Sequence, residues 1–228
     1  MEPGKRFLSY RFTFLLGFLL LLFLLNILLP ISQTRSILFD GLVLIVLIAG
    51  VRACRIRGYF TTSSVFVVLL VLLTVGKYLS PGPLVLGLRS ACMAFLLIYV
   101  AARVFKEVLM DREVSTDTIM GAICAYLLIG VCWSFFYGLV AIMQPNAFAV
   151  SESLTAQALA SPQERLPILL YLSFVTLTTL GYGDITPLTS AARSLCWLEA
   201  VVGQLFLAIM VARLVGLHIM SSSADRDG

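Results

Sequence analysis

The sequence predicts an all-α membrane protein, with six transmembrane helices and one short re-entrant helix and irregular loop between the fifth and sixth. Three observations carry that expectation. Of the 228 residues, 60% are hydrophobic and 12% are charged, against about 25% charged in a soluble globular domain. Six apolar segments approach the ~20 residues that a helix needs to cross the hydrocarbon. A seventh is too short to cross and runs into a glycine-containing loop. A water-soluble fold of this length would leave too much apolar surface in contact with water, so lipid is the expected solvent for most of the chain.

The first segment, residues 12–31, follows Lys5, Arg6 and Arg11 as the apolar part of a secretory signal would. Its apolar run exceeds the ~7–15 residues of such a signal, and no small-residue cleavage site follows, which predicts a retained anchor. The second, third and fourth segments cover residues 37–51, 60–79 and 84–104. The fifth covers 119–143, with Thr116 or Asp117 placed to cap its start. Residues 144–163 are polar and rich in small side chains, as an exposed turret would be. Next comes the short apolar stretch 166–178, followed by Gly181, Gly183 and Pro187, which no continuous helix accommodates together. Irregular backbone at membrane depth survives only where it is packed in protein or lines a water-filled path. The sixth segment covers 190–220.

The chain therefore divides into a four-helix bundle over residues 1–109, a second module over 110–220 and a short tail over 221–228, too short for a folded sensor domain. Lys and Arg orient it. With the N-terminus in the cytoplasm, eleven of them (Lys5, Arg6, Arg11, Arg52, Arg55, Arg57, Arg103, Lys106, Arg112, Arg213 and Arg226) fall in cytoplasmic segments. Four (Arg35, Lys77, Arg165 and Arg193) fall outside, and Arg89 lies within the fourth segment. That bias predicts both termini inside and a loop entering from outside. Because the cations sit in short segments between apolar runs, nucleic acid is not an expected partner. The five cysteines, Cys54, Cys92, Cys124, Cys132 and Cys196, are odd in number and lie in or beside apolar runs. They read as small buried hydrophobes rather than as a disulfide framework or a zinc site.

The most specific feature is Thr178-Thr179-Leu180-Gly181-Tyr182-Gly183-Asp184. A dehydrated cation needs rings of oxygen that replace its water shell without gripping it. Backbone carbonyls supply such rings if successive residues turn C=O to one side, and glycines at alternate positions tolerate the φ/ψ values this requires. The segment resembles the Thr-Val-Gly-Tyr-Gly filter of potassium channels, and residues 171–203 as a whole resemble the pore of that family, above all its prokaryotic members in the tetrameric cation-channel superfamily.

The resemblance implies a selectivity filter at Thr179, Leu180, Gly181, Tyr182 and Gly183. Potassium would be held by the carbonyls of Thr179, Leu180, Gly181 and Tyr182, with the Thr179 hydroxyl as the innermost ring. Leu180 replaces the commoner valine. Tyr182 stands for the aromatic that braces the filter against the pore helix, and Asp184 for the acidic residue just outside it. Thr178, Tyr171 and Val175 support the filter. Val175 stands where some members carry a buried glutamate, so Asp184 lacks that partner. The function implied is passive potassium conduction by a homotetramer in the plasma or inner membrane. Potassium is the permeant ion, no cofactor and no enzymatic chemistry are expected, and membrane lipids and an unidentified gating partner are the remaining candidates for contact.

Other residues gain meaning within that frame. Pro167 suits a first helical turn, though an ordinary loop proline is the alternative, and Glu164 would favour the positive helix start. Gly203 aligns with the glycine that family members use as an inner-helix hinge; close helix packing is the alternative. Glu199 is the one carboxylate well inside a span, where an ionised group is costly unless hydrated or paired. A hydrogen bond to the pore helix is the favoured reading, gating or ion attraction the alternative, and Gln204 a candidate partner. The fourth span offers Arg89 and then no cation until Arg103, and Asp40 is the sole acid near the second, so strong voltage gating is not expected. Three rivals remain. A transporter subunit would carry four such repeats in one chain, a poorly selective cation channel would lack Tyr182, and a regulatory subunit would conduct no current alone.

Overall fold

A computed structural model describes residues 11–30, 32–53, 60–80, 82–111, 115–151 and 165–224. They form seven helices and one two-stranded ribbon: α1 (Arg11–Leu28), α2 (Gln33–Ala53), α3 (Phe60–Leu79), α4 (Pro83–Met110), α5 (Thr116–Met143), β1 (Phe148–Val150), α6 (Arg165–Leu177), β2 (Ile185–Pro187) and α7 (Ser190–Ala224). Five of these helices, α1, α2, α4, α5 and α7, are long and apolar enough to cross a membrane. In α3 the apolar stretch among the described residues is Val67–Leu79. The helix extends through the expected range of the third segment. α4 runs two turns past the expected end of the fourth, and α7 continues into the residues expected to form a tail.

α1 buries Phe12, Leu15, Leu19 and Leu22, a single stripe at three- and four-residue spacing. Its other faces keep Phe14, Leu21, Leu24 and Leu28 exposed. A helix that is apolar all round yet buries one stripe in protein suits a lipid-facing position. α5 is the central helix, packed by α1, α4, α6 and α7, and most extensively by α4. The bundle and the second module thus share one core, which runs from Phe12 and Leu19 through Val43 and Leu97 to Leu128 and Phe206.

Polar contacts pin both ends. Ser115, not Thr116 or Asp117, caps α5, accepting from the Thr118 amide at 3.1 Å. Asp117 instead turns to α1, where Oδ1 accepts from the Phe12 amide at 3.1 Å and Oδ2 lies 3.7 Å from Arg11. It satisfies an amide in the first turn of α1 that has no partner within its own helix. Arg11 also pairs with Glu107 of α4 at 2.9 Å. Arg213 of α7 donates to the Val108 carbonyl at 2.9 Å and to that of Asp111, so the last carbonyls of α4 are covered by a cation from another helix.

At the far end Asp40 of α2 is buried and shared. Its Oδ2 accepts from Lys77 and from the Tyr78 hydroxyl, each at 2.9 Å, and its Oδ1 pairs with Arg89 of α4. Lys77, expected in a connecting segment, is therefore a buried member of an ion cluster, and Arg89 is neutralised inside the bundle.

The turret expectation needs correction. Ala147 and Phe148 are buried, and Phe148 packs edge-on against Tyr137 at 5.6 Å. β1 pairs antiparallel with β2, Phe148 opposite Pro187 and Val150 opposite Ile185. The backbone leaving α5 is thereby hydrogen-bonded to the backbone leaving the glycine loop. Ribbon and helices enclose a second core of Trp133, Tyr137, Phe148, Leu169, Leu172, Ile185 and Ala192. Residues 152–163 of the expected turret lie outside the described residues.

Candidate functional site

α6 has 13 residues, about 20 Å at ~1.5 Å per residue, against ~30 Å of hydrocarbon. It starts and ends one residue earlier than the sequence suggests, with Pro167 in its first turn; Glu164 lies outside the described residues. The Tyr126 hydroxyl of α5 reaches the carbonyl of Leu177, the last residue of α6, at 3.4 Å, and Trp133 Nε1 of α5 donates to the Leu195 carbonyl of α7 at 3.1 Å.

The chain then turns sharply. The Thr178 amide still bonds to Phe174 at 3.1 Å and that of Thr179 to Thr176 at 2.9 Å. The amides of Leu180 and Gly181 both fold back onto the Val175 carbonyl, at 2.9 and 3.3 Å. Val175 therefore supports the loop through its backbone, while its side chain is buried. Thr179, Gly181 and Gly183 have φ of +59°, +59° and +80°. Positive φ at every second residue is the alternation that the glycine spacing predicts, and Thr179 joins it, although a β-branched residue resists that region. Its hydroxyl donates to the Thr178 carbonyl at 2.7 Å, and the Thr178 hydroxyl to Phe174 at 2.6 Å. Among the described residues no hydrogen bond occupies the carbonyls of Thr179 through Gly183.

Asp184 closes the loop. Its Oδ2 accepts from the Tyr171 hydroxyl at 2.6 Å, its Oδ1 from the Ile185 amide at 3.1 Å, and its carbonyl from the Ser151 amide at 2.9 Å. Tyr171 is thus the side-chain donor to Asp184. That hydrogen bond, more than burial, pushes the Tyr171 hydroxyl up to about 12, so it stays a donor. Tyr182 is 67% exposed, as Leu180 is 56% exposed, so the ring finds little cover on the short helix of its own chain.

The inner helix contributes three residues. α7 passes through Gly203 without a break, and a Cβ there would meet the Leu177 carbonyl oxygen at 2.4 Å, so close packing rather than a bend describes Gly203 in this structure. Glu199 is wholly buried, with Oε1 within hydrogen-bond reach of the Ser173 hydroxyl of α6 and Oε2 accepting from Tyr137 of α5. The hydrogen bond to the short helix forms. Gln204 is not part of it, since its Nε2 lies 3.5 Å from the Thr179 hydroxyl instead. Tyr137, Ser173 and Gln204 are the members of the site that sequence reasoning missed or misplaced. The one available signal was Glu199 itself, a lone intramembrane carboxylate that requires donors.

Comparison with known proteins agrees with this geometry. The family described as "Ion channel" matches residues 158–218, which hold α6, the loop, β2 and most of α7. Protein LctB of Bacillus caldotenax is 33% identical over 107 residues, covering 46% of this chain and 75% of that protein. No solved structure matches the chain. A short helix, a loop of alternating positive φ and a long apolar helix, in a family match and a relative aligned over three quarters of its length, make this multi-pass membrane protein a member of the ion channel family, not an enzyme, with its pore domain near residues 158–218.

Proposed function

We propose that the chain is one subunit of a homotetrameric potassium-selective channel, with its filter at Thr179, Leu180, Gly181, Tyr182 and Gly183. The observation that carries this reading is the alternation of positive φ at Thr179, Gly181 and Gly183, with the Leu180 and Gly181 amides drawn back to Val175. Amides held behind the loop leave its carbonyls free to line one side, and rings of such carbonyls replace the hydration shell of potassium. One chain supplies one strand, so a cage requires four. Exposed Leu180, Tyr182, Trp197 and Leu205 offer apolar surface for neighbouring copies.

Within that reading α3 is a sixth span, both termini are cytoplasmic, and the loop enters from outside, as the distribution of Lys and Arg favours. Residues 1–109 act as a scaffold and 110–220 as the pore module. Arg89 is locked to buried Asp40, which leaves α4 without a mobile ladder of charge and supports weak voltage dependence. Potassium is the permeant species and passes without covalent chemistry.

The test is radioactive rubidium uptake into potassium-loaded liposomes containing the purified protein, alongside native mass measurement. Concentrative uptake by a particle of four 25.0 kDa chains is expected. Uptake equal to that of empty liposomes from a verified tetramer would contradict the reading.

A further inference from the structure

Ser173 of α6 carries one hydroxyl proton, yet it stands within hydrogen-bond reach of two oxygens. One is the Gly130 carbonyl of α5, at 2.7 Å; the other is Oε1 of Glu199 on α7. A carbonyl oxygen only accepts, and an ionised carboxylate only accepts. Were Glu199 ionised, the single Ser173 proton would serve one of them and leave the other lone pair to lone pair with the Ser173 oxygen. Both Ser173 and Glu199 are fully buried, so no water would relieve that contact. The approach is no accident of a loose fit. Gly130 has no side chain, and a Cβ there would meet the Phe174 ring at 2.6 Å, so α6 lies directly against the α5 backbone.

The other carboxyl oxygen completes the pattern. Oε2 takes the Tyr137 hydroxyl of α5, and the Cys196 thiol adjoins that hydroxyl in turn. Among the described residues no Lys, Arg or His forms an ion pair with Glu199. An ionised carboxylate in such a setting is uncompensated, and its desolvation is far costlier than that of the neutral acid.

We infer that Glu199 is a neutral carboxylic acid in the folded channel, donating a hydrogen bond from Oε1 to Ser173, whose own hydroxyl donates to the Gly130 carbonyl. With Tyr137 donating to Oε2, every hydroxyl and carboxyl oxygen in the chain has a partner. All donors point one way, from Tyr137 through Glu199 and Ser173 to Gly130. The acid ties α5, α6 and α7 together behind the loop. Because the Val175 carbonyl of α6 anchors the Leu180 and Gly181 amides, holding α6 in place holds the loop in place. Glu199 is thus a positioning residue for the filter. Its protonation stands on the hydrogen-bond count alone; its effect on conduction rests on the potassium-channel reading.

The experiment pairs infrared spectroscopy of the full-length protein in lipid at neutral pH with three variants, Glu199→Gln, Glu199→Asp and Glu199→Ala. The wild-type minus Glu199→Gln difference spectrum is expected to contain the carbonyl stretch of an un-ionised carboxylic acid, shifted in heavy water. The glutamine amide donates to Ser173 and accepts from Tyr137 as the neutral acid does. Glu199→Gln is therefore expected to keep the wild-type melting temperature and a rubidium flux within about twofold, whereas Glu199→Ala, which leaves the buried Tyr137 hydroxyl without its acceptor, melts lower and loses about tenfold in flux. Glu199→Asp, one methylene short, falls between. A carboxylate band alone for Glu199, or a Glu199→Gln variant as damaged as Glu199→Ala, would overturn the inference. Absence of flux in wild type would instead overturn the channel reading, with the infrared band and melting temperatures still deciding protonation.

Discussion

Gly203 of α7 and Leu177 at the end of α6 meet backbone to backbone: a Cβ on Gly203 would lie 2.4 Å from the Leu177 carbonyl oxygen and 3.0 Å from its Cδ1. The obstacle is a carbonyl at the foot of the loop, not the flexible end of a side chain, so it cannot simply swing aside. Gly203→Ala is expected to push α6 and α7 apart at a cost of about 1–3 kcal/mol, lowering the melting temperature of the detergent-solubilised protein and reducing flux. A hinge role would predict normal stability with altered opening; unchanged melting would remove the packing explanation.

Tyr171→Phe deletes the one side-chain donor to Oδ2 of Asp184 and leaves Oδ1 with the Ile185 amide. The site is solvent-accessible, so the expected loss of stability is small, at most about 1 kcal/mol. Current decay during sustained opening should accelerate several-fold, because the outer end of the loop loses its tie to α6. Decay rates identical to wild type in single-channel recordings would show that the ribbon alone holds that end.

Asp40 is the only acceptor of charge for Arg89 and Lys77 among the ion pairs of the described residues. Asp40→Ala strands both cations in a buried site and is expected to cost about 3–5 kcal/mol, read as a large fall in folded yield and melting temperature. The paired replacement Asp40→Asn with Arg89→Gln removes opposite charges together. It should recover the part of that loss due to Arg89, Lys77 still lacking its acid, while leaving the conductance–voltage slope unchanged, whereas a shallower slope would assign gating charge to Arg89.

The start of α5 allows a cleaner comparison. Ser115→Ala removes the cap on the Thr118 amide and should cost about 1 kcal/mol. Thr116→Ala should be nearly neutral. Equal effects in thermal melts would contradict the assignment of Ser115.

Much of this arrangement was legible in the residues. The lengths of the apolar runs located α1 through α5 and α7, and the spacing of Gly181 and Gly183 marked the loop. The short helix followed from the stretch being too brief to cross. What escaped depends on residues far apart in sequence. The capping preference of Asp117 is real, but packing carried it to α1, where it meets an amide 105 residues away. Tyr137 lies 62 residues from Glu199, and nothing in local periodicity joins them. The ribbon escaped because Phe148–Val150 is three residues long, too short for an alternation to register. Tyr182 was expected to brace the filter against the short helix, and in the single chain its ring is exposed.

The most direct test of the central claim is the reversal potential of the purified protein in planar bilayers under a potassium-to-sodium gradient, with Gly181→Asp as control. A potassium-selective filter predicts reversal close to the potassium equilibrium value in wild type and loss of the current in the variant, whose side chain the positive φ at Gly181 cannot accept without strain. A wild-type current that reverses midway between the potassium and sodium values would contradict selectivity at this loop.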